Sequence, residues 1–265
     1  MDLGLRDARV LVTGGASNIG RGIVHAFADE GSRIVLADID RAQAEQVARE
    51  ALDRGATAVE TVVGDLTLDG QAQQATDRAV EEWGGVDVLV NNAGWSVPGF
   101  IAKNTDRANW QRTVEVNFYT AIAATQAVLP VMREQRSGSI VFIASESAFG
   151  QIRQGIYGAT KAAVVALART TAREHGRHGI RSNIVCPGLV LPDGPEAVGS
   201  ESLWAVGRDG VFDDAQTDYL LKDTPLGRLT SAADVASSVL FLASERMSRQ
   251  VTGQLFSVSG GYTMP

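Results

Sequence analysis

Seven short apolar runs of strand length alternate with longer stretches at helical spacing along almost the whole chain, and no other feature restricts the fold as much. The runs lie at 9–13, 33–37, 57–63, 86–90, 139–144, 180–186 and 255–258. The helical stretches, with Ala and Leu on one face and charges on the other, lie at 19–29, 41–54, 69–83, 107–133, 155–175 and 232–243. Strands separated by helices do not pair as tight hairpins. They pair in parallel through right-handed crossovers, so the expected fold is α/β, a doubly wound and mostly parallel seven-stranded sheet with helices on both faces. In such sheets ligands bind beyond the carboxyl ends of the strands, where the strand order reverses, so the residues just after each strand are the first candidates for chemistry.

The stretch 191–224 breaks this rhythm with its PDGPE, VGSE, GRDG and FDDAQ runs. It reads as a mobile substrate lid on a single domain spanning 1–265, since no linker or composition shift marks a second domain. With 24 Lys plus Arg against 31 Asp plus Glu, the formal charge is −7, and no basic run occurs. That balance argues against nucleic acid or an anionic membrane and for a small-molecule partner. No apolar stretch reaches bilayer-spanning length, and the first dozen residues lack the basic-then-apolar order of a secretory leader, so the cytoplasm is the expected compartment. Cys186, in an apolar IVCP run, reads as a buried thiol, and His25, His175 and His178 lack neighbours at ligand spacing, so no metal site is expected.

Directly after the first strand stand Thr13, Gly14, Gly15, Ala16, Ser17, Asn18, Ile19 and Gly20, followed by a helix. Glycines at a strand-to-helix turn let backbone approach a pyrophosphate, whose charge the helix N-terminus favours. Asp38 closes the second strand, where a carboxylate accepts both hydroxyls of an adenosine ribose. It would repel a 2′-phosphate by up to about 4 kcal/mol at a few Å and an effective dielectric near 20. No Arg or Lys at Gly15, Ala16 or Ser17 offsets this, so NAD is the expected cofactor, with Arg41 keeping NADP as the alternative. Further along, Tyr157 and Lys161 stand four apart in a helical stretch and therefore share one face. A phenol titrates near about 10 and becomes a useful base near neutrality when an ammonium stabilises its phenolate.

Together these motifs make the chain similar to the short-chain dehydrogenase/reductase family, over essentially its whole length. The family's TGxxxGxG pattern stands as Thr13, Gly14 and Gly20, with Asn18 in place of the middle glycine. Asn tolerates a left-handed backbone, so the turn survives with a side chain beside the phosphates. By this resemblance Gly14, Ser17, Asn18, Ile19 and Gly20 would form the phosphate turn, Asp65 and Leu66 would meet the adenine, and Asn91, Asn92, Ala93 and Gly94 would be the NNAG turn. Pro187 and Gly188 would pack against the nicotinamide. Leu189, Val190 and Leu191 stand where the family often has a threonine, leaving contact there to backbone.

The resemblance implies Tyr157 as general acid/base, Lys161 as the group that lowers its pKa and holds the nicotinamide ribose, and Ser145 as donor to the substrate oxygen. Asn117 would help hold a water beside the lysine. Ser145 precedes Tyr157 by twelve residues where the family usually has thirteen, which makes Ser147 the alternative serine. Ser259 replaces the family's acid before the final glycines. The implied activity is hydride transfer between NAD and a secondary alcohol of cyclic or hydroxyacyl type, in a homotetramer packed through 107–133 and 155–175. Trp95, Ser147, Gln151 and Leu189, with Ser145 and Tyr157, are the expected substrate contacts, and Ser96, Glu146, Ile152, Arg153 and Trp204 are further candidates. An NADP-dependent 3-oxoacyl reductase and a non-catalytic NAD sensor are the alternatives.

Overall fold

In the computed structural model, which describes residues 2–206 and 214–265, seven strands form one parallel sheet in the order β3-β2-β1-β4-β5-β6-β7. The strands are β1 Arg9–Thr13, β2 Arg33–Asp38, β3 Ala58–Val63, β4 Val88–Asn91, β5 Gly138–Ile143, β6 Ile180–Pro187 and β7 Leu255–Val258. The helices are α1 Asn18–Asp29, α2 Arg41–Arg54, α3 Gln71–Trp83, α4 Arg107–Val114, α5 Thr120–Gln135, α6 Gly155–His175, α7 Asp214–Lys222, α8 Ala232–Ala243 and the single turn α9 Glu245–Ser248. The expected doubly wound α/β fold is the one observed. The GRDG run of the expected lid and the first two residues of FDDAQ lie outside the described residues.

Period-two alternation divides the buried side chains between the two faces of the sheet. Val10 and Val12 of β1 and Ile34 and Leu36 of β2 pack with Ile23, Val24 and Phe27 of α1 and with Val235 and Val239 of α8. Leu11, Val35 and Ala37 point the other way, into a core with Ala75 of α3, Val128 and Met132 of α5 and Val164 of α6. β5 and β6 are buried along their whole length, and the polar residues within them are paired: Ser139 Oγ donates to Leu242 O, Arg181 Nη1 to Leu242 O and Ser182 Oγ to Ala168 O. The strand order reverses between β1 and β4, so the ends of Thr13 and Asn91 open one crevice at the carboxyl edge of the sheet.

The helical stretch 107–133 is one helix by sequence, but a π turn at Glu115–Tyr119 divides it into α4 and α5. Asn117 explains the break: its side-chain Nδ2 donates to Thr113 O at 2.8 Å, competing for the carbonyl an α-helix would use. Among the described residues, no helix is long and apolar enough to cross a membrane.

Candidate active site

A cleft of about 1100 Å³ runs along the crevice, from Asp38 and Asp65 at one end to Tyr219 and Leu220 at the other. Its floor is backbone at the ends of β1 and β4. Gly14 has φ +62°, and Asn18 has φ +41°, so the residue replacing the family's middle glycine does adopt the left-handed conformation. Asn92 staples the two strand ends together, its Nδ2 donating to Thr13 O at 3.1 Å and Gly14 O at 2.7 Å. The Thr13 hydroxyl oxygen accepts from Asn92 N and Ala93 N. A Cβ at Gly20 would stand 1.9 Å from Gly14 O and 2.7 Å from Asn92 Nδ2, so this approach of helix to turn admits only glycine. Ser17, the N-cap of α1, makes no side-chain cap bond, which leaves the N–H groups of the first turn without that partner. A glycine-tight turn feeding an uncapped helix N-terminus suits a pyrophosphate. These residues therefore fit a dinucleotide.

Asp38 is pinned at the end of β2, with Oδ2 accepting from Ala16 N at 2.9 Å and Oδ1 from Asp40 N at 3.0 Å. Burial raises its carboxyl above the ordinary carboxylate range, against the pull of those N–H donors. Each oxygen keeps acceptor capacity, and the carboxylate lines the cleft beside Asp65 and Leu66. Gly14, Ser17, Asn18, Ile19, Gly20, Ala93, Gly94, Pro187, Gly188 and Val190 line it too. Asn91 does not. As the last residue of β4 it is buried, with Nδ2 donating to Thr125 Oγ1 at 3.1 Å, and the residue facing the cleft is its neighbour Asn92. The sequence reading took both asparagines as one turn, whereas strand alternation sends them opposite ways.

At the middle of the cleft the turn after β5 meets the first turns of α6. The Ser145 side chain stands close enough to the Tyr157 phenol to pull its pKa down, and both line the cleft, so the twelve-residue spacing still brings this serine to the tyrosine. Ser147 is engaged elsewhere, its hydroxyl donating to Gln151 Oε1 at 2.8 Å. Lys161 lies one turn beyond Tyr157, 3% exposed, with Nζ donating to Ile143 O at 2.9 Å and standing 5.6 Å from the centre of the Tyr157 ring. Burial pushes the phenol up to about 12, with the Ser145 hydroxyl pulling the other way, and it pushes the ammonium down to about 8. The expectation that Lys161 depresses the tyrosine is not met in this geometry. The amine is bonded to a backbone carbonyl, not to the phenol, and desolvation disfavours both charged forms.

Asn117 does not line the cleft, and its amide is fully engaged: Nδ2 donates to Trp95 O and Thr113 O, and Oδ1 accepts from Trp95 N. A Cβ on Gly94 would stand 3.0 Å from Asn117 Oδ1 and 3.5 Å from Lys161 Nζ, so the asparagine braces the NNAG loop against the lysine. Cys186 is buried, and burial pushes its thiol up to about 12, which leaves it inert. No group of three or more His, Cys, Asp or Glu side chains among the described residues is arranged to hold a metal.

The end of the cleft away from Asp38 is built from loops. Gly99 N donates to Arg153 O at 2.7 Å and Ser96 Oγ to Gln154 Oε1 at 3.1 Å, clipping the loop after β4 to the one before α6. Arg153 takes a left-handed φ of +67°, and Arg112 stacks 5.1 Å over the Trp95 ring. Trp95, Ser147, Gln151, Leu189 and Trp204 all line the cleft, as do Ser96, Ile152 and Arg153. Sequence reasoning missed Tyr262, which lines the cleft and hydrogen-bonds Gln151. It also missed the seat of the C-terminal turn. Glu146 is buried, and its Oε1 accepts from Thr263 N at 3.1 Å while Ser259 bonds the same carboxylate. Ser259 in place of the family's acid was the available signal, because a missing carboxylate invites a search for another nearby.

Comparison with known proteins agrees with this geometry. A family model described as enoyl-(acyl carrier protein) reductase matches residues 14–263. The chain is 34% identical, over 99% of both lengths, to (2S)-[(R)-hydroxy(phenyl)methyl]succinyl-CoA dehydrogenase subunit BbsD of Thauera aromatica. It is 33% identical to 3-oxoacyl-[acyl-carrier-protein] reductase FabG of Thermotoga maritima, over 95% of this chain and 96% of that one. L-fucose dehydrogenase of Mus musculus is also 33% identical, over 95% of this chain and 87% of its own length. Among solved structures, NADH-dependent reductase A1-R′ complexed with NAD superposes with a TM-score of 0.82 at 25% identity, covering 100% of both chains. A short-chain type dehydrogenase/reductase from Mycobacterium ulcerans superposes with a TM-score of 0.86 at 29% identity, covering 97% of this chain and 90% of that one.

Proposed function

The chain belongs to the short-chain dehydrogenase/reductase family of NAD(P)-dependent oxidoreductases acting on CH–OH groups, and on that premise we propose that it interconverts a secondary alcohol and a ketone with NAD. The observation that carries this reading is the meeting of Ser145, Tyr157 and Lys161 midway along a cleft whose far end holds Asp38. NAD is favoured over NADP by the Asp38 carboxylate. Arg41 sits within 3.7 Å of Glu45 on the exposed face of α2 and so has a carboxylate partner of its own. Gly14, Ser17, Ile19, Gly20 and Asp38 would hold the dinucleotide at its phosphates and adenosine ribose, and Lys161 would reach the nicotinamide ribose.

When bound, the cofactor supplies hydride exchange with the carbinol carbon. The protein supplies the proton and the orientation. Tyr157 Oη gives its proton to the carbonyl oxygen during reduction and takes the hydroxyl proton during oxidation, while Ser145 Oγ donates a hydrogen bond to the same oxygen. Lys161 Nζ, one helical turn beyond the phenol and bonded to Ile143 O, would act by holding the nicotinamide ribose beside Tyr157.

The substrate class is a cyclic or hydroxyacyl alcohol, a choice supported by the acyl thioesters named for two of the relatives and the sugar named for the third. The same reading makes the protein a cytoplasmic homotetramer, which light scattering of the purified protein tests. The decisive assay follows absorbance of the reduced cofactor with NADH and NADPH against cyclohexanones, sugar lactones and acetoacetyl-CoA, and in reverse with the matching alcohols. Turnover with NADH on one class is expected. Tight NADH binding with no turnover on any class would favour the sensor.

A further inference from the structure

The first part of the excursion after β6, read from its composition as a substrate lid, makes its contacts at the Asp38 end of the cleft. Its root is tied to the phosphate turn, Asn18 Nδ2 donating to Val190 O at 3.1 Å. From there the chain turns away from Tyr157 and runs to the opposite, adenosine end of the cleft. Gln43 Nε2 donates to Glu196 O at 2.8 Å, and Ser200 donates twice to Asp40 Oδ2, from N at 2.7 Å and from Oγ at 2.9 Å. Gly199 lies so close that a Cβ there would stand 2.7 Å from Asp40 Oδ2 and 3.2 Å from the Gln43 Cβ. Only beyond this, at Trp204 and again at Ala215, Tyr219 and Leu220, does the excursion line the rest of the cleft.

Asp40 is not a mobile surface acid. It is the N-cap of α2, with Oδ1 accepting from Gln43 N at 3.1 Å, and its own N–H donates to Asp38 Oδ1. The carboxylate that faces the ribose and the one that anchors the excursion are thus one hydrogen-bonded unit, and both line the cleft together with Gly199 and Glu201.

We propose that residues 191–202 are a strap over the adenosine half of the dinucleotide, and that Asp40, Gln43 and Gly199 are positioning residues that set how long the cofactor is held and which cofactor is admitted. The inference rests on the dinucleotide reading above. A strap tied at the phosphate turn and again beside the ribose crosses the bound cofactor between two fixed points, so release requires the ties to break. It also places a second carboxylate and Glu201 near the position of a 2′-phosphate, so discrimination against NADP does not depend on Asp38 alone.

The test needs no substrate. NADH affinity is measured by fluorescence and its release by stopped-flow displacement, in the wild type and in Gly199→Ala, Gln43→Ala and Ser200→Ala. Cleavage after Glu196 and Glu201 by a glutamate-specific protease is followed with and without NADH. In the wild type NADH should protect both sites. In Gly199→Ala and Gln43→Ala, release should quicken by about tenfold with the melting temperature of the free protein unchanged, and protection should be lost. Ser200→Ala, which keeps the backbone bond, should show a smaller change in the same direction, and Asp40→Asn should relax the NADH-to-NADPH preference further when added to Asp38→Ala. Release at the wild-type rate in all three strap variants would overturn the strap while leaving the dinucleotide reading intact. A wild type that binds no NADH would overturn both.

Discussion

The two ends of the cleft are built from different materials. At the phosphate end the contacts are backbone and glycine, held at the ends of β1 and β4 by Asn92 and Thr13. At the substrate end the lining is side chains on loops, among them Trp95, Arg112 and Arg153, joined by a backbone clip at Gly99 and a rotamer-dependent bond from Ser96 to Gln154. A ligand with an invariant phosphate backbone can be met by invariant protein backbone, and that demand leaves a glycine signature. A variable ligand is met by side chains on loops that the scaffold tolerates in many forms. The difference teaches where substitution should be catastrophic and where it should merely retune.

The largest expected effect lies where the two ends meet. Tyr157→Phe should lower kcat by about two to four decades, the usual worth of a positioned acid/base, while NADH affinity measured by fluorescence stays close to wild type. Retained turnover would remove the tyrosine from the mechanism. Next comes Gly20→Ala at the phosphate end. Its Cβ would overlap Gly14 O, so overpacking should cost about 1–3 kcal/mol, read as a lower melting temperature together with weaker NADH binding. An Ala variant with unaltered affinity would show that the turn is looser than its geometry implies.

Asp38→Ala should narrow the NADH-to-NADPH affinity ratio by roughly tenfold, a fraction of the full repulsion at an effective dielectric near 20. An unchanged ratio would reject the ribose contact. A smaller effect concerns pH. Lys161 is charged in the unfolded chain up to its ordinary 10.5 and in the fold only to about 8, so between these values the unfolded state binds more protons and stability rises with pH. Tyr157 reverses this above about 10, since its folded value lies near 12 and the unfolded phenol then loses its proton first. The melting temperature of the free protein should therefore climb from pH 8 towards 9, above which the Cys186 thiol, held near 12 in the fold, opposes the rise, and Lys161→Met should remove that slope. The smallest effect is expected at Arg41. Its exposed contact with Glu45 leaves it outside the cleft, so Arg41→Ala should change the cofactor ratio by less than about twofold.

Most of the scaffold was legible because it rests on periodicity. Short apolar runs marked the strands, and α2, α6 and α8 carry apolar stripes at helical spacing. What failed to show were features made by partners distant in sequence. The π turn at Asn117 follows from a side chain that must brace Trp95, 22 residues away. The engagement of Glu146 depends on the C-terminal turn, 117 residues further along. Asn91 and Asn92 are adjacent and chemically alike, and only the pleat of β4 decides which one faces the cleft.

By itself the sequence determined the layered fold, the phosphate turn and the Tyr157–Lys161 pairing, because each is written in local spacing: apolar periods, glycines where backbone must pass closely, and two residues four apart on a helix. Only the tertiary structure decided that Ser145 and not Ser147 meets the tyrosine, that Lys161 is bonded to Ile143 O, and that the excursion after β6 docks on Asp40 at the adenosine end. Those outcomes depend on which polar groups come within hydrogen-bond reach once the sheet has closed, and burial then makes each unpaired alternative costly.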